Sequence, residues 1–299
     1  MLTTKTSNSV QATLNLSKAK AFFELLKLRL SLVVAFSFGF GYLLALRGAV
    51  DWTVFTMLCF GGFFISGASC AINQVLERDY DKLMKRTAGR PLPTHRLNVQ
   101  EAIIFAVFIG LIGLLLMLRF TNGLATVLAM VSMVLYSFVY TPLKRVGPIA
   151  VFVGAIPGAL PPLLGWVAAT GEISHMALVI FGIQFIWQFP HFWAIAWVAD
   201  EDYKKAGFRL LPFGGKKDLN TAIQIMTYTL FLLPLGLMPA YFGLTGIKSA
   251  IVVTICGVLF LAQTFQLMKD CSRQAALKIM FGSLIYLPVL QIALLLDKV

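Results

Sequence analysis

The chain has 299 residues, of which 59% are hydrophobic and 13% charged, and its formal net charge is +12. A water-soluble domain carries about a quarter of charged residues, so this composition excludes an ordinary soluble protein. The basic excess is typical of membrane proteins with basic loops at an anionic membrane surface. We therefore do not read it as a sign of nucleic-acid binding.

Apolar segments of about 20 residues, long enough to cross a ~30 Å hydrocarbon core, recur along the chain. The sequence predicts an all-α polytopic membrane protein whose nine spans lie near 30–47, 53–76, 99–118, 123–142, 147–168, 175–198, 219–242, 248–268 and 276–296. The first residues are polar and rich in Ser, Thr and Asn. We expect a flexible cytoplasmic tail over 1–20 and one membrane domain over 21–299.

The basic residues predict the orientation of these spans. If the N-terminus is cytoplasmic, 21 of the 25 Lys and Arg residues fall on the inner side of the membrane. The outer side then holds only Arg47, Arg119, Lys248 and Lys298. Because short cytoplasmic loops are enriched in Lys and Arg, we expect a cytoplasmic N-terminus and a C-terminus outside.

Polar and acidic residues follow the second span in a regular pattern. Asn73, Glu77 and Asp81 are four residues apart, which places them on one face of a helix. Carboxylate and amide oxygens suit Mg²⁺, particularly when substrate phosphates complete its coordination. Arg86 and Arg90 follow, and arginine matches the geometry of phosphate oxygens. The pattern favours a site for Mg²⁺ and a diphosphate; the alternative is a solvated loop with local ion pairs.

Two further clusters belong to the same predicted side of the membrane. Asp200, Glu201 and Asp202 follow the sixth span, and three adjacent acids would be stabilised by a shared cation. The segment YTPLKR, from Tyr140 to Arg145, ends the fourth span and presents Lys144. The tyrosine and the arginine of this segment are equally typical of residues that anchor a helix at the membrane interface.

One histidine lies within a predicted span. His191 occurs in the segment WQFPHFWAIAW of the sixth helix. Ionisable residues inside membrane spans are usually functional, and the surrounding aromatic residues would suit a flat apolar macrocycle. The alternative is a histidine that is hydrogen-bonded to a neighbouring helix.

From about residue 20 to its end, the chain resembles the UbiA superfamily of intramembrane prenyltransferases. The residues that fit the family signature in register are Asn73, Glu77, Asp81, Met84, Arg86, Thr87 and Arg90. Within the superfamily, WQFPHFWAIAW and DYKKAGFRLLP (Asp202 to Pro212) are similar to the members that farnesylate haem.

This resemblance implies nine helices around a central cavity that opens laterally to lipid, in a bacterial inner membrane. It implies farnesyl diphosphate and haem B as substrates, haem O as product and Mg²⁺ as cofactor. A haem A synthase or a terminal oxidase assembly would be a partner. The open alternatives are prenylation of a quinone-precursor ring and, further from the family, transport of an anionic lipid-like substrate.

The resemblance also assigns roles by position. Asn73, Glu77 and Asp81 would form the first metal–diphosphate motif. The diphosphate would be contacted by basic residues, namely Arg86, Arg90, Lys144 and Arg145. Tyr140 would line the prenyl site, and His191 would contact haem.

Two departures from the family pattern affect the metal ligands. Many relatives carry Asp where this chain has Glu77, whose longer side chain still suits Mg²⁺. The usual second motif is a DxxxD pair, whereas this chain has three adjacent acids. Of these we favour Asp202 and then Asp200 as metal ligands, with catalytic importance for Asp202.

Overall fold

The structure is a computed structural model that describes residues 17–299. Within this range it contains nine helices long and apolar enough to cross a membrane, as the sequence predicts. They are α1 (Leu28–Ala45), α2 (Trp52–Asp81), α3 (Val99–Phe120), α4 (Gly123–Leu143), α5 (Ile149–Thr170), α6 (His175–Val198), α8 (Leu219–Tyr241), α9 (Ile247–Asp270) and α10 (Arg273–Leu296). A short helix, α7 (Asp200–Lys205), follows α6. The described residues form no strand, only an isolated bridge between Thr245 and Lys298.

The described part of the chain begins before the predicted membrane domain. Residues 17–25 are helical, and Lys27, with a φ of 46°, separates this segment from α1. The predicted tail boundary at residue 20 therefore lies within a helix. Residues 1–16 of the predicted flexible tail lie outside the described range.

Local sequence explains where many of the long helices start. Six of them begin after a residue whose side-chain oxygen accepts a hydrogen bond from the first turn: Asp51, Asn98, Asn122, Ser174, Asp218 and Ser272. Such caps satisfy backbone N–H groups that have no partner within the helix. The helix α2 continues five residues past its predicted end at residue 76, so both acids of the first motif are helical.

The helices form a bundle in which α5 is the most enclosed span. It packs against α1, α4 and α6, and the second half of the chain adds α8, α9 and α10 next to α6. The contact of α5 with α1 is very close: a Cβ atom on Gly165 would lie 2.0 Å from the carbonyl oxygen of Phe38. Small residues permit such close helix packing in membranes. The bundle thereby brings the ends of α2, α4 and α6 to one side.

Candidate active site

The three residues predicted on one face of α2 line a common cavity. Asn73, Glu77 and Asp81 are 1%, 5% and 0% exposed, and all three border a cavity of about 160 Å³ at the end of the bundle. Burial of carboxylates is costly unless cations or hydrogen bonds compensate the charge. The partners of these side chains therefore decide what the site can do.

Two basic residues compensate the two buried acids. Arg90 Nη1 donates to both carboxylate oxygens of Asp81, at 2.8 and 2.7 Å. Lys144 Nζ lies 2.8 Å from Glu77 Oε1 and 4.6 Å from the ring centre of Tyr140. Although burial disfavours the ammonium, the adjacent Tyr140 and Glu77 raise the pKa of Lys144 above its ordinary value. Both bases are thus charged and point at the carboxylates.

A local change of helix type precedes Lys144. Residues Leu135–Tyr140 form a π-helical turn within α4, before the helix ends at Leu143. Such turns are rare and frequently occur at functional sites. This turn places Tyr136 next to Tyr140, with ring centres 5.3 Å apart and planes inclined by 45°, and both tyrosines line the cavity. They supply an aromatic wall beside the acids and bases.

The polar side of the cavity is closed by the loops after α2 and α6. Met84 packs with Ala206 and Phe208 in a small apolar cluster. The backbone N–H of Arg86 donates to Asp202 Oδ2 at 3.2 Å, and the Arg86 side chain lies over the ring of Tyr203. The two sequence motifs therefore meet in space, and Asp202 holds the loop that carries Arg86.

The carboxylate of Asp202 is stabilised in its charged form. Burial raises the pKa of Asp202, but hydrogen bonds from the Arg86 backbone and from Lys205 outweigh this effect and lower it overall. Asp200 has other partners: it is buried and pairs with Lys204 at 2.9 Å and with Lys217 at 3.3 Å. It lines a neighbouring cavity of about 570 Å³. Neither acid borders the cavity of the first motif. Their roles as metal ligands stay predictions.

The donor set at α2 suits a metal ion only together with a substrate. Among residues 17–299, no three His, Cys, Asp or Glu side chains lie close enough to hold a metal by themselves. However, the buried carboxylate of Glu77 has the ammonium of Lys144, 2.8 Å from Oε1, as its partner, and both groups line the cavity. Asn73 donates through Nδ2 to Thr141 at 3.0 Å, which leaves its oxygen available. Mg²⁺ commonly takes one or two carboxylates plus phosphates and water, so the residues fit a magnesium diphosphate.

Three cavity-lining residues were not recognised from the sequence as part of the site. Lys27, Tyr136 and Tyr203 all border the cavity with the predicted residues. Burial, together with Arg90 and Lys144, lowers the pKa of Lys27 to about 8. In the sequence it is one of many basic residues near the first span, and only its position beside the cavity distinguishes it.

Two predicted site residues lie beside the cavity and do not line it. Arg145 donates to the hydroxyl of Tyr80 at 2.8 Å and borders a smaller neighbouring cavity of about 50 Å³. His191 is half-buried on α6, and its Nδ1 lies 2.7 Å from Ser283 Oγ on α10. The hydrogen bond to a neighbouring helix, which was the alternative interpretation of this histidine, is present and leaves Nε2 unpaired within the described range. Both roles remain untested predictions.

The comparison with known proteins agrees with this architecture. The UbiA prenyltransferase family matches residues 32–285, which is most of the chain. The chain belongs to the UbiA prenyltransferase family. A solved UbiA homologue from Archaeoglobus fulgidus, bound to DMAPP and Mg²⁺, superimposes with a TM-score of 0.67 at 15% identity, over 91% of this chain and 98% of that chain. Nine apolar helices and the family together identify an integral membrane protein.

Curated members of the UbiA family are much closer in sequence. The protoheme IX farnesyltransferase of Cytophaga hutchinsonii is 54% identical over 283 residues, which cover 95% of this chain and 99% of the relative. That of Christiangramia forsetii is 44% identical over 282 residues, or 93% of each chain. These relatives align along nearly their full length, so the similarity includes both loops of the site.

Proposed function

We propose that the protein transfers the farnesyl group of farnesyl diphosphate to a vinyl group of haem B and, with addition of water, forms haem O. The 54% identity to a protoheme IX farnesyltransferase carries this proposal. The site supports it independently, because it combines buried acids, basic side chains and an aromatic wall at one end of an apolar bundle. Such a site accommodates a diphosphate headgroup and a prenyl chain together.

The basic residues of the cavity would bind the diphosphate. Lys27, Arg86, Arg90 and Lys144 border the same space. Two of them are paired with Asp81 and Glu77 in the structure. In a complex with a magnesium diphosphate, these bases would contact phosphate oxygens and the two carboxylates would hold the cation. This exchange of partners keeps the buried charge nearly balanced before and after binding.

The residues that would hold Mg²⁺ are Asn73, Glu77 and Asp81, with Asp202 and Asp200 as candidates from the second loop. Bound there, Mg²⁺ supplies additional neutralisation of the charge on the leaving diphosphate. Arg90 and Lys144 stabilise the same charge as the bond between the allylic carbon and oxygen breaks.

The remaining side chains of the site act on the carbon skeleton of the substrate. Tyr136 and Tyr140 present their ring faces beside the bases, and such faces stabilise a developing allylic cation. The apolar cluster around Met84 and Phe208 limits the entry of water. A haem vinyl group then attacks the farnesyl carbon from which diphosphate leaves, with His191 contacting the haem. Water adds to the resulting cation and loses a proton to solvent, which leaves a hydroxyl group. Arg145 would contribute to the positive field around the diphosphate.

We further propose that the protein lies in a bacterial inner membrane with its N-terminus and the site at the cytoplasmic face. The uneven distribution of Lys and Arg supports this orientation. Product would pass to a haem A synthase or a terminal oxidase assembly. Labelling of cysteines introduced at exposed Lys85 and Lys248 with an impermeant maleimide tests the orientation. Labelling of position 85 in intact cells would contradict it.

The decisive experiment incubates the purified protein with haem B, farnesyl diphosphate and Mg²⁺ and analyses the extracted haem by mass spectrometry. We expect a mass gain of one farnesyl group plus one hydroxyl group, and loss of this product on chelation of the metal. Asp81→Asn should abolish it, whereas the exposed control Asp79→Asn should not. Farnesylation of a quinone-precursor ring without any haem product would contradict the proposal.

A further inference from the structure

Two side chains, those of Trp187 and Ser283, hold the imidazole of His191 in a fixed position between α6 and α10. Its Nδ1 lies 2.7 Å from Ser283 Oγ. The indole of Trp187 stacks on the imidazole, with ring centres 4.7 Å apart and planes inclined by 14°. The same indole donates through Nε1 to the backbone carbonyl of Ser283 at 2.9 Å. One edge and one face of the histidine ring are therefore fixed by a single unit, which we call the imidazole clamp.

The number of protons in the imidazole clamp determines the histidine tautomer. Ser283 Oγ also lies 2.7 Å from the carbonyl oxygen of Met280. Two oxygens this close repel each other unless a hydrogen lies between them, and a serine hydroxyl has only one. The serine proton must therefore point to Met280, and Ser283 Oγ must accept from His191 Nδ1–H. This leaves the other ring nitrogen, Nε2, with a free lone pair.

His191 lies near two positions of α6 that line cavities. Nε2 has no hydrogen bond to any residue in the range 17–299. With about 100° per residue, His191 lies about 40° from Ile195, which lines the carboxylate cavity, and about 20° from Gln184, which lines a small void further along α6. His191 thus lies on the same side of α6 as these two lining residues.

We propose that Ser283 is a positioning residue that keeps His191 in its Nδ1–H tautomer and so presents the Nε2 lone pair to the iron of the haem substrate. The inference rests on the proposed function. Metal-binding histidines usually donate their second ring N–H to an oxygen, which fixes ring orientation and raises basicity.

The test uses the full-length protein in detergent, titrated with haem B and followed by absorption and electron paramagnetic resonance spectroscopy. His191→Ala should lose the histidine-ligated signature, and added imidazole should restore it. Ser283→Ala should weaken haem binding by about tenfold or more and shift the spectrum, whereas Ser283→Thr should retain both. The matched control is Thr264→Ala, which removes a buried hydroxyl with the same type of bond, to Leu261, on α9.

The outcomes separate this inference from the proposed function. If His191→Ala binds haem with an unchanged spectrum, or Ser283→Ala matches the wild type, the inference is wrong even when haem O is formed. If wild-type protein neither binds haem nor farnesylates it, the proposed function fails. Should Ser283→Ala not fold, the imidazole rescue of His191→Ala still decides whether Nε2 binds iron.

Discussion

Arg90 neutralises the fully buried carboxylate of Asp81 and donates two hydrogen bonds to it from one nitrogen. The pair links the end of α2 to the loop that follows it. Such a pair is costly to break from one side, because the remaining charge stays buried without compensation. It therefore stabilises the loop, and under the proposed function the same two residues would also bind substrate.

The first prediction separates these two roles. Arg90→Met should destabilise the protein by about 3 kcal/mol, because it leaves the buried carboxylate of Asp81 without a compensating charge. It should also abolish activity. The double variant Arg90→Met/Asp81→Asn should regain much of the stability but no activity. Thermal unfolding in detergent and the haem assay measure the two effects. Equal unfolding temperatures for the single and double variants would contradict the pairing.

The second prediction concerns Gly154, which faces the ring of Tyr140. A Cβ atom at this glycine would lie 2.5 Å from Tyr140 Cδ2, so Gly154→Ala must displace the ring from the cavity wall. We expect a loss of about 1–3 kcal/mol of stability and a lower kcat for farnesyl transfer. Gly182→Ala is the control, because nothing lies within 4 Å of its added Cβ. Full activity of Gly154→Ala would contradict the assignment of Tyr140 to the prenyl site.

The third prediction concerns pH and Lys27. Because the pKa of Lys27 is lowered to about 8, this side chain is charged below pH 8 and becomes neutral above it. Binding of the diphosphate should therefore weaken as pH rises through 8, by up to about tenfold per pH unit. Lys27→Arg should lack this dependence, since arginine stays charged. The KM for farnesyl diphosphate between pH 6.5 and 9.5 measures it; the same rise in both proteins would argue against Lys27.

The fourth prediction concerns the pair that fastens the N-terminal helical segment to the loop before α3. Arg96 donates to both carboxylate oxygens of Glu24, at 2.9 and 2.6 Å, and these bonds lower the pKa of Glu24 below its usual 4.5. The stabilisation is present above pH 4.5 and is lost as pH falls through the lowered native value.

For this half-exposed pair we expect a contribution below about 1 kcal/mol. Glu24→Gln should therefore melt slightly earlier than the wild type at pH 7, and the difference should shrink as the pH falls below 4.5. Glu172→Gln provides the control, because Glu172 is exposed and forms no salt bridge within the described range. A difference that grows on acidification would contradict the assigned pair.

Three features could be predicted from the sequence alone: that the protein spans a membrane, how many spans it has, and that Asn73, Glu77 and Asp81 share one helix face. These depend on the length of apolar segments and on the helical period, which act over short distances along the chain. The alternation of basic loops likewise yields a predicted orientation from composition alone. The family signature follows the same stretch of α2 and its loop, so the position of the site could be recognised there.

Which charged side chains pair with each other depends on the tertiary structure. It pairs Lys144 with Glu77 and directs Arg145 to Tyr80. It also brings Lys27, which precedes α1 and lies far from the motif in the sequence, to the cavity. It also places Ser283 beside His191, 92 residues apart. Contacts of this kind depend on how whole helices cross, and close approaches such as that at Gly165 set those crossings. No local pattern contains that information.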